Sequence, residues 1–517
     1  MRELRRYYPP PLIVQTALTL GLGLVSCASD ESSNTNPDAS NETDAETDTD
    51  EAPSTPSVCD APPLADVASP TAVVGTGTPE SCTAAALMSA VAAGGIVTFD
   101  CGAAAVTIIV SDTVVITAET VIDGGGRITL SGDGATRILY LDSAYDLETP
   151  RLTVQRLTFE DGRSVEGGDD TAVGGGAIYR DGGSLTVNDC VFKGNRAPTP
   201  GQDIAGGAIY GFGGGETVIA GSTFEDNTAS NGGAVGSLNS HLTVINSVFY
   251  QNSAEGTEGN PGNGGCGGAI YMDGTDEETY MCGVTIAENR AGAIGGGVFR
   301  VSNDNSGAFE MHLCAVDRNG VIPSDSGNAG GLYLQGLELA ISQSTISRNE
   351  AFYNGGIWIH TCSTSVTNVT IAENTAFGSN GGGIWLSGSP TGTLLNCTIA
   401  NNHATADDQI AGAIFGEGLT LKNTVVSGNT AMWVPGCNAT HPDGGGNLQW
   451  PDGALCTEEI QVADPILGSL SDNGGETETL MPAEGGPAVG VGSDCPATDQ
   501  RGIPRSTPCT AGAVEAD

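Results

Sequence analysis

Short apolar runs recur along most of this chain with period two. Examples are "SLTVNDCVF" (184–192), "HLTVINSVF" (241–249) and "LTLKNTVV" (419–426), separated by Gly, Asn, Asp and Ser. Alternation rich in β-branched residues predicts strands, whereas helical repeats need longer runs at 3.6 spacing. The runs belong to a longer phrase, "GGGAIYRDGGSLTVNDCVFKGNRA" from Gly174 to Ala197, which returns at Gly206–Ala229 and Gly264–Ala291. Its closing asparagine recurs as Asn195, Asn227, Asn252, Asn289, Asn319, Asn349, Asn374, Asn402 and Asn429, at spacings of 25 to 37 residues. Three positions earlier stand Phe192, Phe224, Phe249, Ile286, Val316, Ile346, Ile371, Ile399 and Val426, and Phe159 begins a degenerate earlier copy. Periods of this length predict a solenoid. Each coil then holds three short strands and three turns, and about 13 coils at about 4.8 Å give a rod on the order of 60 Å. Leu185, Val187 and Phe192 point inward. The asparagines are expected at a turn, each bonding its counterpart one coil away in a purely structural ladder.

The "GGAIY" half of the phrase aligns an inward column, Ile178, Ile209, Val235, Ile270, Val298, Leu332, Ile357, Ile384 and Ile414. The next residue is Tyr179, Tyr210, Tyr271, Phe299, Tyr333, Trp358, Trp385 or Phe415, with Gly236 breaking the series. Alternation turns these rings outward. They serve either as scaffold, stacked on one another, or as a glycan-binding face. The paired glycines are expected to let the backbone turn tightly with positive φ.

These phrases resemble the GGA[I/L/V] and F-x-x-N repeats of the polymorphic outer membrane proteins. The resemblance implies an all-β, right-handed parallel β-helix of the pectin-lyase-like kind over residues 104–434, and "TVIDGGGRITLSGDG" (120–134) resembles the first coils of related proteins. A short helical cap precedes it in residues 58–103: "TPESCTAAALMSAVAAGG" predicts a helix over 79–93 with Thr78 as N-cap, Pro79 at N1 and Gly94 just past its end. Residues 435–517 are expected to hold the last coils and a disulfide-rich cap. Their "DQRGIPRSTPCTAGAVE" resembles the closing segment of choice-of-anchor β-helix proteins, and no autotransporter barrel pattern follows.

Arg2, Arg5 and Arg6 precede an apolar stretch from Leu12 to Val25, too short to span a bilayer but suited to a signal peptide over residues 1–26. It ends in Leu24-Val25-Ser26-Cys27, which resembles the lipobox of bacterial lipoproteins, with Cys27 acylated as the membrane anchor. Residues 27–57, acidic and rich in Ser, Thr and Pro, are expected to form a disordered tether. The expected location is the bacterial outer membrane or cell surface.

Charge sharpens this. Lys+Arg number 18 against 62 Asp+Glu, a net charge of −44, which disfavours nucleic acid as a partner. Fourteen cysteines in an exported chain imply disulfides, with Cys82–Cys101, Cys437–Cys456 and Cys495–Cys509 as short-range pairs. Setting Cys27 aside leaves an odd number, so at least one thiol is free or pairs between chains.

Catalytic signatures are sparse. The acid pairs Asp169-Asp170 and Asp407-Asp408 fall in loop-like stretches. Arg180 and Arg300 follow ring residues, and either could serve as a lyase base, yet alternation puts them on the Ile side. The five histidines show neither metal-ligand spacing nor a companion nucleophile. No catalytic residue, metal site or cofactor is assigned, although acidic insertions such as "QNSAEGTEGNPGNGG" (251–265) suit calcium. The reading is a lipid-anchored surface protein with a structural, adhesive or glycan-binding role, its ligand a polysaccharide or a surface protein. The alternative is a polysaccharide lyase or hydrolase acting on acidic polysaccharide.

Overall fold

The structure, a computed structural model, describes residues 52–164, 172–276, 278–322, 326–378, 380–405 and 411–516. The signal peptide, Cys27, most of the tether and both acid pairs lie outside the described residues.

The body is a right-handed parallel β-helix. One coil shows how it is built. Ile209–Phe212 lies in one sheet, Thr217–Ala220 and Thr223–Glu225 form two segments of a second, and Thr228–Ala229 lies in a third. Among the described residues these sheets hold eleven, twenty-five and seven strands. Each coil repeats the last in register, so Phe159, Phe192, Phe224 and Phe249 sit over one another. Their ring centroids are 4.8, 4.6 and 4.7 Å apart with planes within 6°. Leu185 and Val187 are buried beside them.

The F-x-x-N phrase has a backbone cause. The residue before each ladder asparagine is left-handed: Asp226, Gln251, Glu288, Arg318, Arg348 and Glu373 have φ between 50° and 60°. That turn aims the following amide along the rod. Asn195 donates from its backbone N (3.0 Å) and from Nδ2 (2.9 Å) to Asn227 Oδ1, and from Nδ2 to Phe159 O (3.0 Å). The same bonds repeat through Asn227, Asn252, Asn289, Asn319, Asn349, Asn374, Asn402 and Asn429. Neither paired glycine leaves room for a Cβ. Gly206 takes φ of 66° and a Cβ there would meet Ile209 O at 1.9 Å, while one on Gly207 would overlap Thr228 N of its own coil and Gly233 O of the next.

Several expected boundaries shift. The helix spans Ala84–Val91, not 79–93, and its N-cap is Thr83, whose Oγ1 accepts from Ala86 N; Thr78 makes no such bond. Cys82, tied to Cys101, is extended and separates the helix from a 3-10 turn at Pro79–Ser81. The solenoid begins at Ala72–Val74, paired with Gly95–Phe99, well before residue 104. The tether ends earlier than residue 57, because Ala52 packs on Val248, Tyr250 and Ala287. After Gln461–Val462 the chain does not cap the last coil alone. It returns along the outside as a strap, where Leu470 and Leu480 cover Ala372 and Ala400.

Cys82–Cys101, Cys437–Cys456 and Cys495–Cys509 are disulfides, and a fourth joins Cys59 to Cys282. Cys190, Cys266, Cys314, Cys362 and Cys397 are free and buried. Burial pushes the Cys190, Cys314 and Cys397 thiols up to about 12, which makes them poor nucleophiles.

Candidate functional site: the outward ring column

The outward face of the eleven-stranded sheet carries the ring column. In-register pairing aligns Tyr140, Tyr179, Tyr210, Gly236, Tyr271, Phe299, Tyr333, Trp358, Trp385 and Phe415. Tyr140 escaped the sequence reading because its strand lacks the preceding glycines, although "LYLD" matches "IYRD". Ala205 fills the place Gly236 leaves, since a Cβ there would meet it at 2.5 Å.

Most of this column faces other rings. Tyr140 and Tyr179 stack at 5.4 Å, Tyr271 and Phe299 at 5.4 Å, Phe299 and Tyr333 at 5.0 Å, and Trp358 and Trp385 at 4.0 Å with planes 10° apart. Tyr333 meets Trp358 edge-on. Loops then cover the middle. Tyr179, Tyr210, Tyr271, Phe299 and Tyr333 are buried, while Trp358, Trp385 and Phe415 are half-exposed. Of the two readings of these eight rings, scaffold or glycan face, burial puts five out of a ligand's reach, and the stacked tryptophans turn faces to each other. The stacking arises because each ring is set one strand spacing from the next, where ring contacts outcompete water.

Asp273 fastens that cover. Its carboxylate accepts from Tyr271 OH (3.0 Å), Asn260 Nδ2 (2.6 Å) and Asn303 Nδ2 (2.7 Å). Burial raises its pKa above the ordinary value, although these bonds oppose the shift. The 251–265 insertion is thus pinned by an amide. Among the described residues no group of three or more His, Cys, Asp or Glu converges to hold a metal.

Toward the N-terminal end, the Arg137 guanidinium lies 4.7 Å from the Tyr179 ring and donates to the Ala172 and Gly174 carbonyls. Tyr140 OH donates to Asp142 (3.1 Å), and burial followed by that bond pushes its pKa up to about 12. Asp142 and Asp181 are register partners; burial, then the Asp142 charge, raises Asp181.

Beside the exposed tryptophans, Ser387 Oγ accepts from Trp358 Nε1 (2.7 Å) and meets His360 Nδ1 at 2.8 Å. His360 thus has a hydroxyl companion that spacing did not reveal. Burial lowers its pKa, so the imidazole is neutral at pH 7. A serine–histidine contact is the first element of a nucleophilic site. Two other histidines, however, make the same coil-to-coil bond: His312 to Ser342 (2.8 Å) and His403 to Thr430 (2.7 Å). The contact therefore recurs as a way of tying adjacent coils.

Arg180 and Arg300 lie inside the solenoid, 0% and 1% exposed. Arg180 Nη1 donates to the carbonyls of Gly183 (2.8 Å) and Gly213 (2.7 Å), and Nη2 donates to Ser240 Oγ; Arg300 Nη1 donates to Gln335 O. They satisfy turn carbonyls at the corner between sheets and are closed off from solvent.

The fold defines the class: a right-handed parallel β-helix. No protein-family model and no curated protein matches the chain. Among solved structures it is similar to PfbA, a surface adhesin of Streptococcus pneumoniae, at 13% identity and a TM-score of 0.32, covering 68% of this chain and 88% of that one. It is also similar to the periplasmic alginate epimerase AlgG, at 10% identity and a TM-score of 0.33, covering 69% and 76%. At these values neither neighbour speaks to this chain's ligand or activity.

Proposed function

We propose that this chain is an exported rod displayed on a bacterial surface, lipid-anchored through Cys27, with a structural or adhesive role. The observation that carries it is the set of four disulfides, one of them closing 223 residues, which fits an oxidising compartment outside the cytoplasm. The lipobox-like Leu24–Cys27 and the repeats resembling those of polymorphic outer membrane proteins support the same reading. Contact with a polysaccharide or surface protein is assigned to Trp358, Trp385 and Phe415, where the ring column emerges beside His360 and Ser387. It offers ring edges and hydrogen-bonding groups.

Membrane fractionation of wild type and Cys27→Ser tests the anchor: the variant is released, and its retention would refute lipidation at Cys27. Glycan and surface-protein arrays, run with an unsaturated-product assay on acidic polysaccharides, test the role. Binding without turnover, lost in Trp358→Ala plus Trp385→Ala, is expected. Turnover by the purified chain would establish the polysaccharide lyase or hydrolase reading instead.

A further inference from the structure

Before its first strand the chain runs along the outside of the solenoid. Val58 N and Cys59 N donate to Asn246 Oδ1 (3.1 and 3.0 Å), and Asn246 Nδ2 donates back to Cys59 O (2.7 Å). Further along, Ala65 N donates to Gln155 Oε1 (2.8 Å) and Gln155 Nε2 to Ala65 O (3.1 Å). The strap therefore passes from the coils around Asn246 back to the coil of Gln155 before joining the sheet at Ala72–Val74. Near its start, Cys59 is bonded to Cys282, 223 residues later in the chain.

We infer that the Cys59–Cys282 disulfide is a mechanical shunt: tension applied to the chain upstream of Cys59 enters the middle of the rod at Cys282 and bypasses residues 60–281. The inference rests on the proposed N-terminal anchoring for the direction of load, and on the covalent connectivity for its route. Without the bond, a pull from the N-terminus peels the strap off its two amide clasps. It then unwinds the first coil, and each coil behind it, because a solenoid coil is held only by its neighbours. With the bond, the load reaches the strand Thr279–Cys282. That strand pairs with Leu242–Ile245 on one side and with Phe309–His312 on the other. An interior strand paired on both sides resists by shearing two ladders together, whereas an end coil yields one bond at a time. Cys282 is buried, which shelters the bond from exchange. The other three disulfides close only 19, 19 and 14 residues and reroute nothing comparable.

Single-molecule pulling on the full chain, with handles at its two ends, tests this. The oxidised wild type should release about 800 Å less contour than the Cys59→Ser/Cys282→Ser variant, from 223 residues at roughly 3.6 Å each. Should the variant fail to fold, wild type reduced after folding supplies the comparison, since the short disulfides add little length. Equal contour in both states would overturn the shunt. The Cys27→Ser release assay reports on anchoring separately, so the two ideas fail independently.

Discussion

Asn227 is bonded twice to Asn252 one coil away: its backbone N (3.0 Å) and its Nδ2 (2.9 Å) both donate to Asn252 Oδ1. Both residues are fully buried. Asn252 Nδ2 in turn donates to Phe224 O and Asn289 Oδ1. The backbone and side-chain donors of both residues bond only to other coils, so this turn is satisfied only when coils stack in register.

Replacing Asn252 by Asp keeps the shape and puts an acceptor where two acceptors wait. Unmade buried bonds cost about 1–3 kcal/mol each, so a loss on the order of 3 kcal/mol is expected in urea unfolding. A change within experimental error would show that the column contributes little.

Gly207 is needed for space, whereas Gly125 is needed only for conformation. Gly207→Ala drives a Cβ into Gly233 O and Thr228 N, whereas Gly125, at φ of 61°, has nothing within 4 Å of the added atom. Gly125→Ala should cost about 1–2 kcal/mol from the left-handed backbone alone. Gly207→Ala should cost several times more, measured by the same denaturation, and comparable losses would contradict the close approach.

Acid should loosen the last coils through His441. Its Nδ1 faces Leu419 O at 3.1 Å and so carries the proton, leaving Nε2 buried without a partner among the described residues. Burial holds the folded pKa below the ordinary 6.5, although the Leu419 bond and the Glu417 charge oppose the shift. The unfolded chain then binds the proton first. The stability His441 supports is complete above pH 6.5 and is lost as pH falls below it towards the folded value. Wild type should lose its advantage over His441→Gln between pH 7.5 and 5.5. An advantage that grows on acidification would reverse the sign.

Arg180 is a corner post. Arg180→Leu strips the donor from the Gly213 carbonyl, while the Gly183 carbonyl keeps Gly215 N, and should lower stability by about 1–3 kcal/mol. Any glycan binding by the folded fraction should stay unchanged. Loss of binding at full stability would return Arg180 to the site.

The sequence made the coil legible because its two columns, Phe192 to Val426 and Asn195 to Asn429, recur with fixed internal spacing. The outward rings were legible too, since period two assigns faces. What covers them was not. Asp273 joins Asn260 to Asn303 across two coils, a contact no local pattern encodes, and so five rings expected on the surface are buried. The straps left a faint signal: outward positions in "TIS" (345–347), "TIA" (370–372) and "TIA" (398–400) are small, as befits strands with something packed over them. Cys59–Cys282 was illegible because the strap doubles back along the rod, bringing together residues that short spacing keeps apart.

The most direct test of in-register stacking uses engineered cysteines on the open face. Thr393 and Thr420 are register partners on adjacent coils, while Lys422 lies two residues further along and pairs with Leu395. Adjacent strands sit about 4.8 Å apart, within reach of a disulfide, whereas a two-residue offset puts the Cα atoms roughly 8 Å apart, beyond it. Mass mapping after mild oxidation should find the Thr393→Cys/Thr420→Cys bond formed and the Thr393→Cys/Lys422→Cys bond absent. The offset pair linking as readily as the aligned one would contradict the account.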